Sequence, residues 1–310
     1  MGGYIMKNLN IRPNGKKLWV SLSVVFALFA IFTVSVLVSC EKVIFAQEED
    51  LEVTNGNLKV SVFQIEKTPF ENFTRAEKAA SEACTRLNFA IYSLDGTRLK
   101  QVNQTSDDAK FGTTSFQLEK GTYQLVVVGH SSNGNPTMTD PTCIKFTNSQ
   151  GYTDTFIRST EVTIGDDAVD MQVSLDRIVA LCRFVLTDDF PADVKTMRFY
   201  YTGGSGAFDA TTGLGCVKSK QDVKFDVSPL QKQFDIYTFL HDIEGTIRLT
   251  VTALDASGNE LYNRVFDVPM QQNHITWLTG AYFSGSCSSS TTITDVTVNT
   301  DWAGETHLTF

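Results

Sequence analysis

Val169-Asp170-Met171-Gln172-Val173-Ser174-Leu175 places an apolar side chain at every second position. A strand with one buried face reads this way, because successive side chains point to opposite sides. The same period recurs at Leu58-Lys59-Val60-Ser61-Val62, Leu87-Asn88-Phe89-Ala90-Ile91 and Ile247-Arg248-Leu249-Thr250-Val251-Thr252-Ala253, with a shorter piece at Val162-Thr163-Ile164. Leu125-Val126-Val127-Val128 is a continuous apolar run suited to a strand buried on both faces, and Ile178 to Leu186 is similarly rich in Val, Ile, Leu and Phe. Turn chemistry separates the runs: Asp95-Gly96, Gly203-Gly204-Ser205-Gly206 and Asp255-Ala256-Ser257-Gly258-Asn259. Further strands are expected at Met197 to Tyr201, at Leu261 to Val268 with Pro269 ending it, at Trp277 to Phe283 and at Ile293 to Val298. A single capping-box spacing, Thr74-Arg75-Ala76-Glu77, predicts a short helix over 75–84.

Many short strands with little helix imply an all-β chain of antiparallel sandwiches. The strands are too many for one small sandwich, so two domains are expected, with the boundary near Leu175-Asp176. One internal echo agrees with this: Gly121-Thr122-Tyr123-Gln124-Leu125-Val126-Val127 and Gly245-Thr246-Ile247-Arg248-Leu249-Thr250-Val251 share Gly-Thr-x-x-Leu-x-Val. The expected organisation is 1–39 as a signal peptide, 40–52 as a tether, 53–175 as the N-terminal β-sandwich and 176–310 as the C-terminal one.

The start of the chain bears on compartment. Lys16-Lys17 precedes an uncharged run from Leu18 to Val38 dominated by Val, Leu, Phe, Ala and Ile, as in a secretory signal peptide. A membrane-spanning anchor is the rival reading. Leu37-Val38-Ser39-Cys40 ends the run like a bacterial lipobox, in which small side chains flank the scissile bond and the cysteine carries lipid. Cys40 is therefore the expected lipid attachment residue, with palmitate among its acyl chains; two or more chains anchor stably, whereas one binds reversibly. The acidic Gln47-Glu48-Glu49-Asp50 that follows reads as a solvated tether. The net charge is −9, and four basic residues but no acid precede Cys40, so the part after the leader carries −13. A body this acidic is not expected to bind nucleic acid.

Signals of chemistry are sparse. His130, His241, His274 and His307 are far apart and read as isolated surface or turn residues. Gly203-Gly204-Ser205-Gly206 lacks the following helix that a nucleophile elbow needs, so Ser205 is not expected to be catalytic. The pairs Asp107-Asp108, Asp166-Asp167 and Asp188-Asp189 lack calcium-loop spacing and read as turn residues. No metal, no cofactor and no enzyme activity are expected. Cys84, Cys143, Cys182, Cys216 and Cys287 follow Cys40. Their number is odd, so at least one lies outside any set of intrachain disulfides, and the spacings leave the connectivity open.

A string of segments resembles a known family. Cys84-Thr85-Arg86-Leu87-Asn88-Phe89-Ala90-Ile91-Tyr92 precedes an Asp-Gly turn, and Gly121-Thr122-Tyr123 precedes Val126-Val127-Val128-Gly129-His130. Leu175-Asp176-Arg177-Ile178-Val179-Ala180 opens the second half, and Val268-Pro269-Met270-Gln271-Gln272-Asn273-His274-Ile275-Thr276-Trp277-Leu278-Thr279-Gly280 and Asp301-Trp302 lie near the end. Together with the lipobox cysteine, these resemble the FimB-type anchor subunits of Bacteroidetes fimbriae, relatives of the fimbrillin pilins. The resemblance implies two transthyretin-like β-sandwich domains, an outer-membrane lipid anchor on the cell surface, and a place at the base of a fimbria whose length the subunit limits. It implies pilin subunits as partners through β-strand addition, with Leu58–Ile65 held in its own sheet and Ile293–Val298 reaching the next subunit. The alternative is a surface glycan-binding lipoprotein with Tyr200, Tyr201 or Trp277 as stacking platforms.

Overall fold

The computed structural model describes residues 56–66, 83–147, 151–284, 292–293 and 302–310. The leader, Cys40, Cys287 and all but the end of the expected helix lie outside them. Among the described residues the chain is all-β.

The first half contributes β1 (Leu58–Glu66), β2 (Arg86–Ser93), β3 (Arg98–Thr105), β4 (Thr113–Phe116), β5 (Gly121–His130), β6 (Ile144–Lys145), β7 (Thr155–Ile164) and β8 (Val169–Arg177). Seven of these form one sheet in the order β3-β2-β5-β7-β8-β1-β4. The sheet turns back on itself between β7 and β8, which pair only at Phe156↔Arg177 and Ile157↔Asp176. Leu58 and Val60 of β1 and Val173 and Leu175 of β8 thereby pack against Leu87, Phe89 and Ile91 of β2 and Leu125 and Val127 of β5. These inward residues are the alternating ones of the sequence, as a half-buried strand requires.

The second half contributes β9 (Ala180–Leu186), β10 (Thr196–Thr202), β11 (Ala207–Asp209), β12 (Leu214–Gly215), β13 (Gln221–Asp226), β14 (Gln233–Thr238), β15 (Glu244–Leu254), β16 (Glu260–Gln271), β17 (His274–Gly280), β18 (Thr292–Ile293) and β19 (Gly304–Thr309). Its two larger sheets run β13-β10-β15-β16 and β14-β9-β17-β19-β18. Phe184, Phe199, Tyr201, Phe234, Leu249, Val251 and Leu278 fill the space between them. Burying one such side chain contributes about 1.5–3 kcal/mol, so this aromatic core dominates the stability of the half.

The two halves follow one plan. In the first, β3-β2-β5-β7 lies over β8-β1-β4; in the second, β13-β10-β15-β16 lies over β17-β9-β14. In each half the opening strand runs parallel beside a later one, β1 with β8 and β9 with β17. The Gly-Thr-x-x-Leu-x-Val echo falls on β5 and β15, which occupy equivalent inner positions. The outer face of β2 and β5 (Ala90, Tyr92, Val126, Val128) packs with Leu181 of β9, Ile275 of β17, Phe208 and Phe239 into a third core shared by both halves. Residues 53–310 accordingly form one compact unit.

Pro269 does not end its strand. β16 continues to Gln271, with Pro269 opposite Thr246. Because β16 is the outermost strand of its sheet, a residue without an N–H leaves no ladder partner unsatisfied there.

Candidate functional site

The feature that sets the halves apart is an open strand edge. β7 pairs with β5 along its whole length, from Gly121↔Ile164 to His130↔Thr155, and β8 pairs with β1 from Leu58↔Val169 to Glu66↔Asp176. Between them, beyond the two rungs at Phe156 and Ile157, the facing edges of Arg158–Ile164 and Val169–Leu175 have no ladder partner among the described residues. The strands splay into a cleft of about 370 Å3, where Arg158 and Thr160 of β7 stand across from Met171, Val173, Ser174 and Asp176 of β8. Arg158 and Asp176 approach to 3.8 Å at its closed end. Met171 is a partly buried side chain packed on the first core, so the cleft opens onto apolar surface as well as free backbone. An unpaired strand edge can accept another strand.

The second half shows what fills the equivalent place. β17, the counterpart of β8, pairs with β9 on one side and with β19 on the other, parallel, from His274↔Gly304 to Thr279↔Thr309. Three side chains seat β19. Leu308 enters the core of the second half, Phe310 stacks on Phe184 with ring centroids 5.1 Å apart, and Trp302 enters the shared core. Trp302 also covers Arg177, whose guanidinium carbon lies 3.9 Å from the ring centroid. Gly280 and Gly304 permit the close approach: a Cβ on Gly304 would meet the His274 ring at 2.5 Å, and one on Gly280 would run into the Phe310 carbonyl oxygen.

The residues singled out in the sequence are dispersed. Tyr201 is fully buried and donates to the Tyr237 carbonyl at 2.8 Å, so it presents no ring to solvent. Trp277 is half-buried, stacked against His307 at 5.5 Å and with Arg183 4.9 Å from its centroid, so neighbours of this chain occupy its ring. Tyr200 is half-buried, 5.8 Å from Arg198. Ser205 is buried, its hydroxyl donating to the Ala207 carbonyl at 2.5 Å and accepting from the Val217 N–H at 3.0 Å, which braces the glycine loop. Asp188 receives N–H bonds from Tyr282, Phe283 and Ser284. Burial opposes its charge, but those donors together hold its carboxyl below the usual range. Among the described residues no three His, Cys, Asp or Glu side chains converge on a metal position.

His130 corrects one expectation. It is not a surface residue but fully buried at the end of β5. Its Nδ1 accepts from the Ser132 N–H at 3.1 Å, which makes Nε2 the protonated nitrogen donating to Asn88 Oδ1 at 2.8 Å. Burial, with a lesser contribution from Arg86, pushes its pKa down to about 4.

The model of a Family of unknown function (DUF6562) matches residues 50–309. The chain belongs to this family. No curated protein matches this DUF6562 member. Among solved structures it is similar to a candidate adhesin from Bacteroides ovatus ATCC 8483, with 14% identity, a TM-score of 0.44, and coverage of 60% of this chain and 77% of that one. It is also similar to candidate polysaccharide binding proteins from Bacteroides thetaiotaomicron VPI-5482, with 13% identity, a TM-score of 0.44, and coverage of 66% and 78%. A third is the fimbrial anchor protein Mfa2 from Porphyromonas gingivalis, with 12% identity, a TM-score of 0.39, and coverage of 67% and 80%.

Proposed function

We propose that this DUF6562 member is a lipoprotein of the outer membrane that anchors a fimbria, tethered through Cys40 and accepting a strand of a fimbrial subunit along β8. The observation that supports this reading most is the open β8 edge, set against β17, whose equivalent edge is covered by β19. The chain thus carries its own example of the filled state, β19 running parallel to β17. An incoming segment would pair with the β8 backbone and set alternate side chains over Met171 and Val173. Ile293–Val298, the segment first expected to reach a neighbour, lies outside the described residues beyond Ile293. The role is the one held by Mfa2 in its organism; the lipobox-like segment and the open edge, rather than that distant likeness, support it here.

The test uses cells of the source organism. A photo-crosslinking side chain at Gln172, exposed on β8, should capture a fimbrial subunit. Met171→Lys should shed fimbriae into the medium with the protein still present at normal abundance. Cys40→Ala should abolish acyl labelling and leave the precursor in the inner membrane. Firmly attached fimbriae in a strain lacking the gene would overturn the anchor role, and labelled palmitate on the Cys40→Ala protein would overturn the tether.

A further inference from the structure

β11 is flanked by β6 on one side, at Ala207↔Lys145 and Phe208↔Ile144, and by β12 on the other, at Phe208↔Gly215 and Asp209↔Leu214. Cys143 immediately precedes β6 and Cys216 immediately follows β12. Each is therefore one residue from the rung centred on Phe208, and the strand alternation turns both side chains to the face opposite Phe208. Carried one step on, these registers set Cys143 beside Asp209 and Cys216 beside Ala207, so the two side chains converge diagonally across β11. The two sulfurs approach to 3.5 Å, with Cys216 donating to Cys143. We infer that Cys143 and Cys216 form a disulfide that joins the two halves of the molecule.

The other described cysteines contrast with this pair. Cys84 and Cys182 are buried, which keeps an oxidant from reaching either sulfur, and burial pushes each thiol up to about 12. Cys143 is half-buried and Cys216 exposed, so a small oxidant can reach them. Bond formation needs the sulfurs to close from 3.5 Å to about 2.0 Å, a movement that side-chain rotation and the flanking loops must supply. The oxidant is a small-molecule disulfide. A thiolate of the pair attacks it, forms a mixed disulfide and expels one thiolate. The second cysteine then loses its proton and attacks the mixed disulfide, expelling the other. Two electrons pass to the oxidant, which leaves as two thiols, and one sulfur–sulfur bond replaces two S–H bonds. Partial desolvation of its sulfur and then the hydrogen bond to Cys143 push Cys216 up to about 12, so exchange should quicken as pH rises.

The consequence is a staple across the join. The cysteines are 73 positions apart, with Cys143 in the first half and Cys216 in the second, so the bond closes a long loop in the unfolded chain. The full-length protein is to be extracted from its cells with detergent and an alkylating agent, digested without reductant and examined by mass spectrometry. The expected species is a peptide pair joined through Cys143 and Cys216, which separates on reduction. Protein equilibrated with oxidised glutathione at mildly alkaline pH should lose alkylation at both positions together while Cys84 and Cys182 do not pair. Reduction should lower the melting temperature by about 5–10 °C, and Cys143→Ser should remove that reduction-dependent shift. The inference is overturned if Cys143 and Cys216 both remain alkylatable after oxidation, or if either is recovered joined to Cys287 instead.

Discussion

His130 makes stability depend on pH in a direction the structure sets. Its ring is fully buried, lies edge-on to Phe146 with centroids 4.8 Å apart, and has both nitrogens committed, Nδ1 accepting from Ser132 and Nε2 donating to Asn88. Asn88 is fixed in turn, its Nδ2 donating to Asn103 at 2.7 Å and Asn135 at 3.0 Å, which keeps its Oδ1 on Nε2 in either charge state. A second ring proton would sit on Nδ1 facing the Ser132 N–H, donor against donor. The folded-state pKa of about 4 lies below the ordinary 6.5, so between these values the unfolded chain binds the proton and the folded one does not. Stability is therefore intact above pH 6.5 and is lost as pH falls toward 4. The full gap corresponds to about 3 kcal/mol, of which about 2 kcal/mol is lost between pH 7 and pH 5. Urea unfolding of the wild type and of His130→Gln at stepped pH values isolates this contribution, because carboxylates titrate in both proteins. The wild type should lose about 2 kcal/mol more than the variant over that interval. Parallel stability curves from pH 7 to 5 would refute the reasoning and place the ring in contact with water.

Two further perturbations probe the join and the seated strand. Arg177 has a side chain only 1% exposed, paired with Asp154 through two contacts of 2.7 Å, so Asp154→Ala leaves a buried cation without its counter-ion. That should cost about 3–5 kcal/mol in urea unfolding, and a loss within experimental error would show that water reaches the guanidinium. Gly280→Ala drives a methyl into the Phe310 carbonyl and should cost about 1–3 kcal/mol, with faster amide hydrogen exchange confined first to β19; unchanged exchange there would mean that the strand end shifts without strain.

The strands readable in the sequence were those whose environment matches a simple period. β8 alternates because one face meets the core, and the apolar run of β5 is continuous because β5 faces the first core on one side and the shared core on the other. β19 was missed because Gly-Glu-Thr-His-Leu-Thr is largely polar. Its place comes from pairing with β17 and from Trp302 and Phe310 at its two ends rather than from its own pattern. β6, β11 and β12 are two or three residues long, too short to show any period. Pro269 misled because only the third dimension shows β16 to be an outer strand. The open edge of β8 could not be read at all. It is the absence of a neighbour, and β8 and β17 become comparable only once the shared plan of the halves is seen. His130 carried no local sign of burial, since apart from the nearby Ser132 what encloses it comes from Asn88 and Phe146 on two other segments.

The parallel course of β1 and β8 has a mechanical meaning for an anchored molecule. The tether would draw on β1 from its N-terminal end, and a strand docked on β8 and dragged outward would draw the other way. Tension of that kind slides two parallel strands lengthwise, so every rung from Leu58↔Val169 to Glu66↔Asp176 is strained together. Such a load is shared along the ladder on either side of its irregularity between Val62 and Gln64, whereas a hairpin peeled from one end gives way rung by rung. If the molecule is moored and loaded as proposed, the pairing that completes a small sheet in still water would also act as a clasp against a pull along its strands.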